Sequence, residues 1–281
     1  MKEEEKMTKS AEKKKIEIVT ANPAGNITIF VKTPFERKDY QAAAGQLLAM
    51  EELKGEQVAF ITSQNPMSDI APSFHADGSM EMCGLEFCGN ASRSFGLLLA
   101  RDAGDEGIVY KAVQVSGCAE PLTVEVDLDR MRAKIKMPLP LSCEKKQECT
   151  IVDFGGILHI IVEDLPAEQE IFDLLKDRVY SQLNPPAMGV MFWDTARKAL
   201  TPVVYVKDVD TVYFEGSCGS GTTAVAAAFA KGKPDGIHTW AIAQPAGTID
   251  AAAEVRDGQL VNLWIDSEVS LSEPKFVEIE L

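Results

Sequence analysis

Two stretches of the chain follow one plan: FCGNASRSFGLLLA at residues 87–100 and SCGSGTTAVAAAFA at residues 217–230. Each carries a cysteine and a glycine near its start, then small or capping residues, and then a run that is apolar on every side. A helix without a polar side has to be surrounded by other elements. The two stretches therefore predict two buried helices, with Cys88 and Cys218 at their starts.

A cysteine at the start of a buried helix is in a distinctive electrostatic setting. It faces the positive end of the helix dipole and backbone N–H groups that have no partner inside the helix. Both features favour the thiolate form and an anion bound beside it. A single cysteine in this setting is typical of a nucleophile, whereas two in equivalent settings are typical of an acid and a base that work as a pair. Cys88 and Cys218 are therefore the predicted catalytic residues.

Composition and charge limit the class of protein. The chain has 281 residues, 46% of them hydrophobic and 25% charged, as in an ordinary soluble globular protein. Its formal net charge of −15 argues against nucleic acids and anionic membranes as partners. Residues 1–15 are rich in lysine and glutamate, which predicts a disordered tail, and they lack the apolar region of a secretory signal peptide. No stretch is long enough to span a bilayer, so a cytoplasmic location is expected.

The cysteines indicate neither a disulfide framework nor a metal site. A chain without a secretory signal is expected to keep its six cysteines mostly reduced. Cys83 and Cys88 are separated by four residues, but no second close pair of cysteines or histidines completes a zinc site. We therefore predict no metal.

The two halves of the chain share more than the cysteine motifs, which indicates an internal repeat. In each half a glycine turn leads into a β-type run, a charged segment of helical periodicity, a second β-type run, the cysteine helix and a strand–turn–strand pattern. The matched segments are 25–31 and 156–162, 34–53 and 166–183, 57–62 and 188–193, 87–100 and 217–230, and 110–137 and 239–266. Five matched elements in one order argue against chance similarity between unrelated domains.

The last of these patterns indicates the kind of sheet. Residues 122–126 alternate between apolar and polar, as in an antiparallel strand with one solvent-exposed face, and Asp257-Gly258 is a hairpin-turn sequence. We therefore predict an α+β protein with two pseudo-symmetric domains, each an antiparallel β-sheet or barrel wrapped around a central apolar helix. The predicted boundaries are 1–15 for the tail, 16–136 plus 268–281 for the N-terminal domain, and 137–267 for the C-terminal domain.

These motifs, in this order, resemble the cofactor-independent amino-acid racemases and epimerases typified by diaminopimelate epimerase. The resemblance extends over nearly the whole chain from about residue 16. It implies a diaminopimelate epimerase-like fold, no cofactor, and a free amino acid as the small-molecule partner. The motifs that carry it are EFCGNASR at 86–93 and SCGSGT at 217–222, with PAGN at 23–26, ADGS at 76–79 and QPAGT at 244–248.

The chemistry of inversion suits such a pair of cysteines. To invert an α-carbon, one group has to remove a proton from one face while another delivers a proton to the opposite face. Cys88 and Cys218 would exchange these roles with the direction of turnover. Because no pyridoxal phosphate would accept the electrons, the negative charge would be stabilised by backbone N–H groups of two helix starts that converge on the substrate carboxylate.

The substrate-binding residues follow from the same motifs. By family resemblance Asn26 lies near the α-amino group. Asn90 and Ser220 are equally well interpreted as helix caps, a role that is compatible with carboxylate binding. The residues expected to hold the carboxylate are Gly89, Asn90, Gly219, Ser220, Gly221 and Thr222.

The chain departs from diaminopimelate epimerase at the far end of the substrate. The family has a Glu-Arg-Gly shortly before the second cysteine, whereas residues 212–217 are VYFEGS; Ile157 stands where a second Gly-Asn is expected, and His75 replaces an asparagine. A distal carboxylate would lose its bidentate arginine, which disfavours diaminopimelate. Candidates for the altered distal pocket are His75, Glu86, Phe87, His159, Tyr213 and Glu215.

Acidic groups without an arginine suit a neutral or cationic side chain. Family members of this shortened type include histidine racemases, so histidine is the leading substrate, with other basic amino acids or a broad range as alternatives. For His159 a packed strand position is favoured over a ligand role. Glu86 and Glu215 are interpreted equally well as residues of the distal pocket and as groups that cap backbone N–H groups or remain solvated.

Other functions remain as alternatives. Diaminopimelate epimerase itself and an isomerase of the phenazine-biosynthesis type share the expected fold, although the latter does not require two cysteines. Cys83 is a weaker rival for the first catalytic position, because it does not open onto the apolar helix. A cysteine–histidine hydrolase and a non-catalytic amino-acid-binding protein are disfavoured. The sequence does not determine the oligomeric state, for which a homodimer is one option.

Overall fold

A computed structural model describes residues 13–63 and 76–280 of the chain. Two of the predictions fall outside these ranges: the first twelve residues of the charged tail, and His75 as a substrate-binding residue.

The described residues form a strand-rich α+β fold. The helices are α1 (Tyr40–Leu48), α2 (Gly89–Ala103), α3 (Gln169–Tyr180) and α4 (Gly219–Ala230). The strands are β1 (Lys13–Asn22), β2 (Thr28–Val31), β3 (Gln57–Ser63), β4 (Gly78–Met82), β5 (Ile108–Val115), β6 (Leu122–Asp127), β7 (Arg132–Met137), β8 (Ser142–Lys145), β9 (Thr150–Asp153), β10 (Leu158–Glu163), β11 (Ala187–Asp194), β12 (Ala199–Val206), β13 (Thr211–Phe214), β14 (Gly236–Gln244), β15 (Gly247–Arg256), β16 (Gln259–Glu268), β17 (Ser270–Leu271) and β18 (Lys275–Glu280).

The repeat predicted from the sequence is present as two similar sets of elements. In the first half β2 and β3 are connected by α1, and in the second half β10 and β11 are connected by α3. Both pairs are parallel, with Thr28 opposite Gln57 and Leu158 opposite Met188. The predicted antiparallel sheets therefore also contain a parallel pair in each half. The sheet is mixed because a chain that returns through a crossover helix places its next strand in the same direction.

The two cysteine helices are buried as predicted. Every residue from Gly89 to Ala100 of α2 is buried, and α4 is buried along nearly its whole length. Strands β5, β6 and β7 contact α2, and strands β14, β15 and β16 contact α4. A Cβ built on Gly96 would lie 2.6 Å from Val124 Cβ, so α2 and β6 approach more closely than a side chain there would allow. The apolar helices thus form the centre of the core.

The halves are joined through β7 and β16. These strands pair antiparallel, with Ile135 opposite Ile265 and Met137 opposite Leu263. Since β7 belongs to the first set of elements and β16 to the second, one sheet runs continuously from half to half. Ile265 of β16 contacts the starts of both cysteine helices, so this pairing brings the two helix starts close together.

The N-terminal strand begins earlier than the predicted end of the charged tail. Lys13 lies opposite Glu280 and Lys15 opposite Glu278, in the antiparallel pairing of β1 with β18. Residues 13–15 are therefore strand rather than tail, because β18 supplies backbone partners and oppositely charged neighbours for them. The predicted return of the C-terminal residues toward the first half corresponds to this strand.

The predicted hairpin at Asp257-Gly258 is confirmed. The two residues have φ values of 52° and 72°, and Arg256 lies opposite Gln259 at the end of β15 and β16. Positive φ at both central positions is the requirement of a type I′ turn. No helix in residues 13–63 and 76–280 is long and apolar enough to cross a membrane.

Candidate active site

Cys88 and Cys218 occupy equivalent positions at the N-caps of α2 and α4. Their backbone angles are almost the same, φ −128° and ψ 112° for Cys88 and φ −130° and ψ 114° for Cys218. The Cys88 sulfur accepts the Ala91 N–H at 3.5 Å, and the Cys218 sulfur accepts the Gly221 N–H at 3.3 Å. Each thiol is thus held at a helix start by the N–H three residues further on.

The first turns of the two helices meet beside Ile265. A Cβ built on Gly219 would lie 3.1 Å from Ile265 Cδ1 and 3.3 Å from Asn90 Oδ1. A Cβ built on Gly89 would lie 3.2 Å from Ile265 Cδ1 and 2.6 Å from Met137 Sδ. The glycines that follow the cysteines are therefore needed for this close approach, and they bring the predicted carboxylate-binding residues of both halves together.

In the first half the predicted binding residues form one hydrogen-bond network. The Cys88 thiol donates to Gln57 Oε1 at 3.3 Å, and Gln57 Nε2 donates to Asn26 Oδ1 at 2.8 Å. Asn90 Nδ2 donates to the same Asn26 oxygen at 3.2 Å, and Asn26 Nδ2 donates to Glu56 Oε2 at 2.9 Å. Asn26 is thereby linked to both the Cys88 thiol and the start of α2.

In the second half Ser220 connects Cys218 to His159. Ser220 Oγ lies 3.4 Å from Cys218 Sγ and 3.0 Å from His159 Nε2. The Cys218 backbone N–H donates to Gln244 Oε1 at 2.8 Å, and Gln244 Nε2 donates to Thr222 Oγ1 at 2.9 Å. The second helix start therefore has its own set of polar supports, different in residue type from those of the first.

Residues 15–274 match the family described as the histidine racemase CntK N-terminal domain. The chain belongs to this family. A histidine racemase of Fusobacterium nucleatum subsp. nucleatum (strain ATCC 25586) is 33% identical over 269 residues, which cover 91% of this chain and 94% of the relative. A histidine racemase of Staphylococcus aureus (strain Mu50) is 27% identical over 245 residues, or 83% of this chain and 87% of the relative.

Solved structures confirm the fold class. A hydroxyproline epimerase from Agrobacterium vitis superposes with a TM-score of 0.63 at 12% identity, covering 96% of this chain and 94% of that protein. A phenazine biosynthesis protein of the PhzF family from Bacillus anthracis superposes with a TM-score of 0.66 at 13% identity, covering 95% and 100%. Membership in the family makes the protein an isomerase of the racemase and epimerase class.

The two thiols are weaker acids than a free cysteine side chain. Burial raises the pKa of Cys88 to about 11, although the Ala91 N–H and Gln57 lower it and Glu86 and Glu215 raise it again. Burial also raises the pKa of Cys218 well above its usual range, and the neighbouring Glu215 raises it further. The N–H groups at the helix starts lower both pKa values, as expected, but desolvation of the charged sulfur has the larger effect in the opposite direction.

Three carboxyl groups lie around the thiols with raised pKa values. Burial raises the pKa of Glu215 to about 7, with nearby Glu56 adding to the shift and the Cys218 thiol opposing it. Burial likewise raises the pKa values of Glu56 and Glu86. Among the residues that the structure describes, no lysine or arginine forms an ion pair with any of the three. The site is thus rich in acidic groups that lack a cationic partner.

The other candidates from the sequence are placed as follows. His159 is fully buried in β10, where burial lowers its pKa to about 3, so the favoured packed position is the observed one. Tyr213 is 47% exposed on β13 and Phe87 packs against the core. Cys83 follows β4 and packs against the cluster around α1, and no hydrogen bond connects it to the network above within the described part of the chain.

Four supporting residues are not among the predicted site residues: Glu56, Gln57, Arg93 and Gln244. Gln57 is the polar first residue of a strand that is otherwise largely apolar, and Gln244 is the last residue of β14. Polar residues at strand ends have many ordinary explanations, so the sequence alone does not distinguish them. Arg93 is a stronger signal, because an arginine inside a helix that is apolar on every side has to be buried.

Proposed function

We propose that the protein is a histidine racemase that inverts the α-carbon by a two-base mechanism, with Cys88 and Cys218 as the alternating base and acid. The observation that carries this proposal is the equivalence of the two N-cap cysteines on helices whose first turns meet beside Ile265. Two thiols that approach a substrate from opposite halves suit removal of a proton from one face and delivery to the other.

The helix starts are suited to hold the substrate carboxylate. The backbone N–H groups of Gly89, Asn90, Gly219 and Ser220 have no hydrogen-bond partner within residues 13–63 and 76–280. Free N–H groups at two converging helix N-termini are a favourable environment for an anion. As the α-proton leaves, negative charge spreads onto the carboxylate, and the same groups would stabilise it more strongly.

The two sulfurs together hold one proton before and after the reaction. One cysteine begins as a thiolate, takes the α-proton and becomes a thiol, while the opposite thiol gives its proton to the carbanion and becomes a thiolate. The reverse reaction starts from the protonation state in which the forward reaction ends. Because the raised pKa values disfavour a thiolate in the free site, the ammonium group of the bound amino acid would supply the positive charge that lowers them.

The side-chain environment favours histidine over diaminopimelate. The carboxyl groups of Glu56, Glu86 and Glu215 would accept from an imidazole or imidazolium, whereas a second carboxylate would be repelled by them. Two relatives that each cover more than four fifths of the chain are histidine racemases. Other basic amino acids share the same charge argument and are the alternatives to test.

Hydrogen–deuterium exchange tests the proposal directly. The reduced protein is incubated in D₂O with L-histidine, L-lysine, L-arginine, L-alanine or LL-diaminopimelate, and loss of the α-proton is followed by NMR together with optical rotation. We expect L-histidine to exchange fastest and its optical rotation to fall to zero. Exchange of diaminopimelate but not histidine would support the alternative epimerase, and no exchange with any amino acid would contradict a racemase.

Two further predictions from the sequence stay predictions: the cytoplasmic location, and a homodimer as one option for the oligomeric state. The same holds for the domain boundaries near residues 137 and 268.

A further inference from the structure

Arg93 is a fully buried arginine behind the start of α2. Its side chain has 0% exposure, five residues after Cys88. Nε and Nη2 both donate to Asn90 Oδ1, at 3.2 and 3.0 Å. Nη1 donates to the backbone carbonyls of Ser267 at 3.2 Å and Ala133 at 3.5 Å, which belong to the two strands that join the halves.

The charge of Arg93 is not neutralised by an ion pair. Within the described ranges no carboxylate lies within 4.0 Å of its guanidinium, and the neighbouring Asp266 is instead paired with Arg132 at 3.2 Å. Burial lowers the pKa of Arg93 to about 10, whereas Asp266 and Cys88 raise it and Arg132 lowers it, so the group stays charged at neutral pH. An unpaired buried charge is costly, which calls for an explanation beyond stability.

The guanidinium dictates which way the Asn90 amide points. Arginine has only donors, so the amide oxygen has to face it, and the NH₂ group has to face the opposite side. On that side Asn90 Nδ2 donates to Asn26 Oδ1. It has no other acceptor in residues 13–63 and 76–280, so its second hydrogen could donate to a bound anion. Without Arg93 the oxygen and the NH₂ group of Asn90 could exchange places, which would turn an acceptor toward the carboxylate.

We propose that Arg93 is a positioning residue for the reaction: it orients the Asn90 amide toward the substrate carboxylate, and its unpaired charge stabilises negative charge at the start of α2, including the Cys88 thiolate. This inference rests on the proposed function only for the statement that Cys88 is a catalytic group. Cys88 raises the pKa of Arg93, which links the two groups electrostatically. The other charged groups that act on Cys88 are Glu86, in the segment before α2, and Glu215 from the second half, both of which oppose the thiolate.

Two substitutions separate the charge from the orientation. Arg93→Lys keeps the charge but loses the pair of hydrogen bonds to Asn90 Oδ1. Arg93→Met removes the charge and the hydrogen bonds. Alkylation of Cys88 by iodoacetamide is measured against pH by mass spectrometry of its peptide, with Cys118 of the same molecule as the internal control. We expect Arg93→Met to slow alkylation of Cys88 about tenfold near pH 8 and Arg93→Lys to change it less than threefold. An unchanged Cys88 profile in a folded Arg93→Met protein would overturn the charge part of the proposal.

A double-variant cycle tests the orientation. If Arg93 acts through Asn90, Asn90→Ala and the double variant Asn90→Ala/Arg93→Lys should racemise with the same kcat/KM, and Arg93→Lys alone should raise KM at least fivefold. Independent losses that multiply in the double variant would overturn this part. The cycle does not use Arg93→Met, so it still tests the orientation of Asn90 if circular dichroism shows that Arg93→Met does not fold. Alkylation of Cys88 can be measured even if the protein racemises no amino acid. A complete lack of racemisation would therefore contradict the proposed function, while the alkylation profile would still test the role of Arg93.

Discussion

Ser220 Oγ lies 3.4 Å from Cys218 Sγ, at the first turn of α4. The same hydroxyl contacts Nε2 of the buried His159, which stays neutral because burial lowers its pKa to about 3. If His159 donates from Nε2, the Ser220 hydroxyl proton is left to donate to the sulfur. The hydrogen bond with Ser220 lowers the pKa of Cys218, whereas burial and Glu215 raise it.

The first prediction concerns this hydroxyl. Ser220→Ala should lower kcat/KM about tenfold, because a hydrogen bond to a charged group contributes roughly 1.5–3 kcal/mol. The loss should be larger at pH 7 than at pH 9, where the thiolate forms more readily without help. Ser220→Thr, which keeps a hydroxyl, is the matched control. Equal rates for Ser220→Ala and the parent protein at pH 7 would show that the contact has no catalytic effect.

The second prediction concerns the pair of thiols. Cys88→Ser and Cys218→Ser should each abolish racemisation, since a serine hydroxyl is too weak an acid to act as the second group at neutral pH. Cys83→Ser should keep the parent rate, because Cys83 lies outside the hydrogen-bond network of the site. The measurement is the change of optical rotation of histidine from both enantiomers. Parent-level racemisation by either of the first two variants would mean that the two-base assignment is wrong.

The third prediction concerns stability and Glu215. Its folded pKa of about 7 lies above the value of 4.5 expected without the surrounding protein, so the folded state holds the proton more tightly. The associated stability is fully present below pH 4.5 and is lost as the pH rises through about 7. Glu215→Gln should therefore raise the melting temperature at pH 8 and change it much less at pH 5. A gain of the same size at both pH values would show that the pKa of Glu215 is not raised.

The fourth prediction concerns the meeting point of the helices. Gly219→Ala should raise KM about tenfold, because its new methyl would press against Ile265 and Asn90 and move the two helix starts apart. Gly45→Ala is the control. Gly45 lies on the exposed face of α1 with nothing within 4 Å of a new Cβ, so the variant should be more stable by about 0.5–1 kcal/mol with unchanged activity. An unaltered KM in Gly219→Ala would contradict the close approach of the helix starts.

Much of the fold follows from local patterns along the chain. The alternation at residues 122–126 lies in β6, and the charged segments at 34–53 and 166–183 contain α1 and α3. The parallel pairing of β2 with β3 and of β10 with β11 does not follow from such patterns. A fully buried strand is apolar throughout, so its sequence does not show whether it pairs parallel or antiparallel. Strands β12 and β13 are likewise absent from the prediction. Strand β12 contains Pro202, a residue that is uncommon in the interior of a sheet.

Composition also fails to predict the strand at residues 13–15. Lys13, Lys14 and Lys15 have the composition of a solvated tail, and their place in β1 depends on β18, more than 250 residues away. Composition describes the preference of a segment for water, whereas strand pairing depends on which partner the rest of the fold brings to it.

The sequence by itself determined that two buried helices each begin with Cys-Gly, because an apolar run and a small-residue start are local properties. It also indicated paired acid–base chemistry. Only the tertiary structure decided the state of those thiols: burial raises both pKa values above the level that a helix start would favour. Only the tertiary structure joined Arg93 to Asn90 and to the carbonyls of β7 and β16. Desolvation and hydrogen-bond geometry depend on every group that surrounds a residue, and most of those groups are distant in the chain.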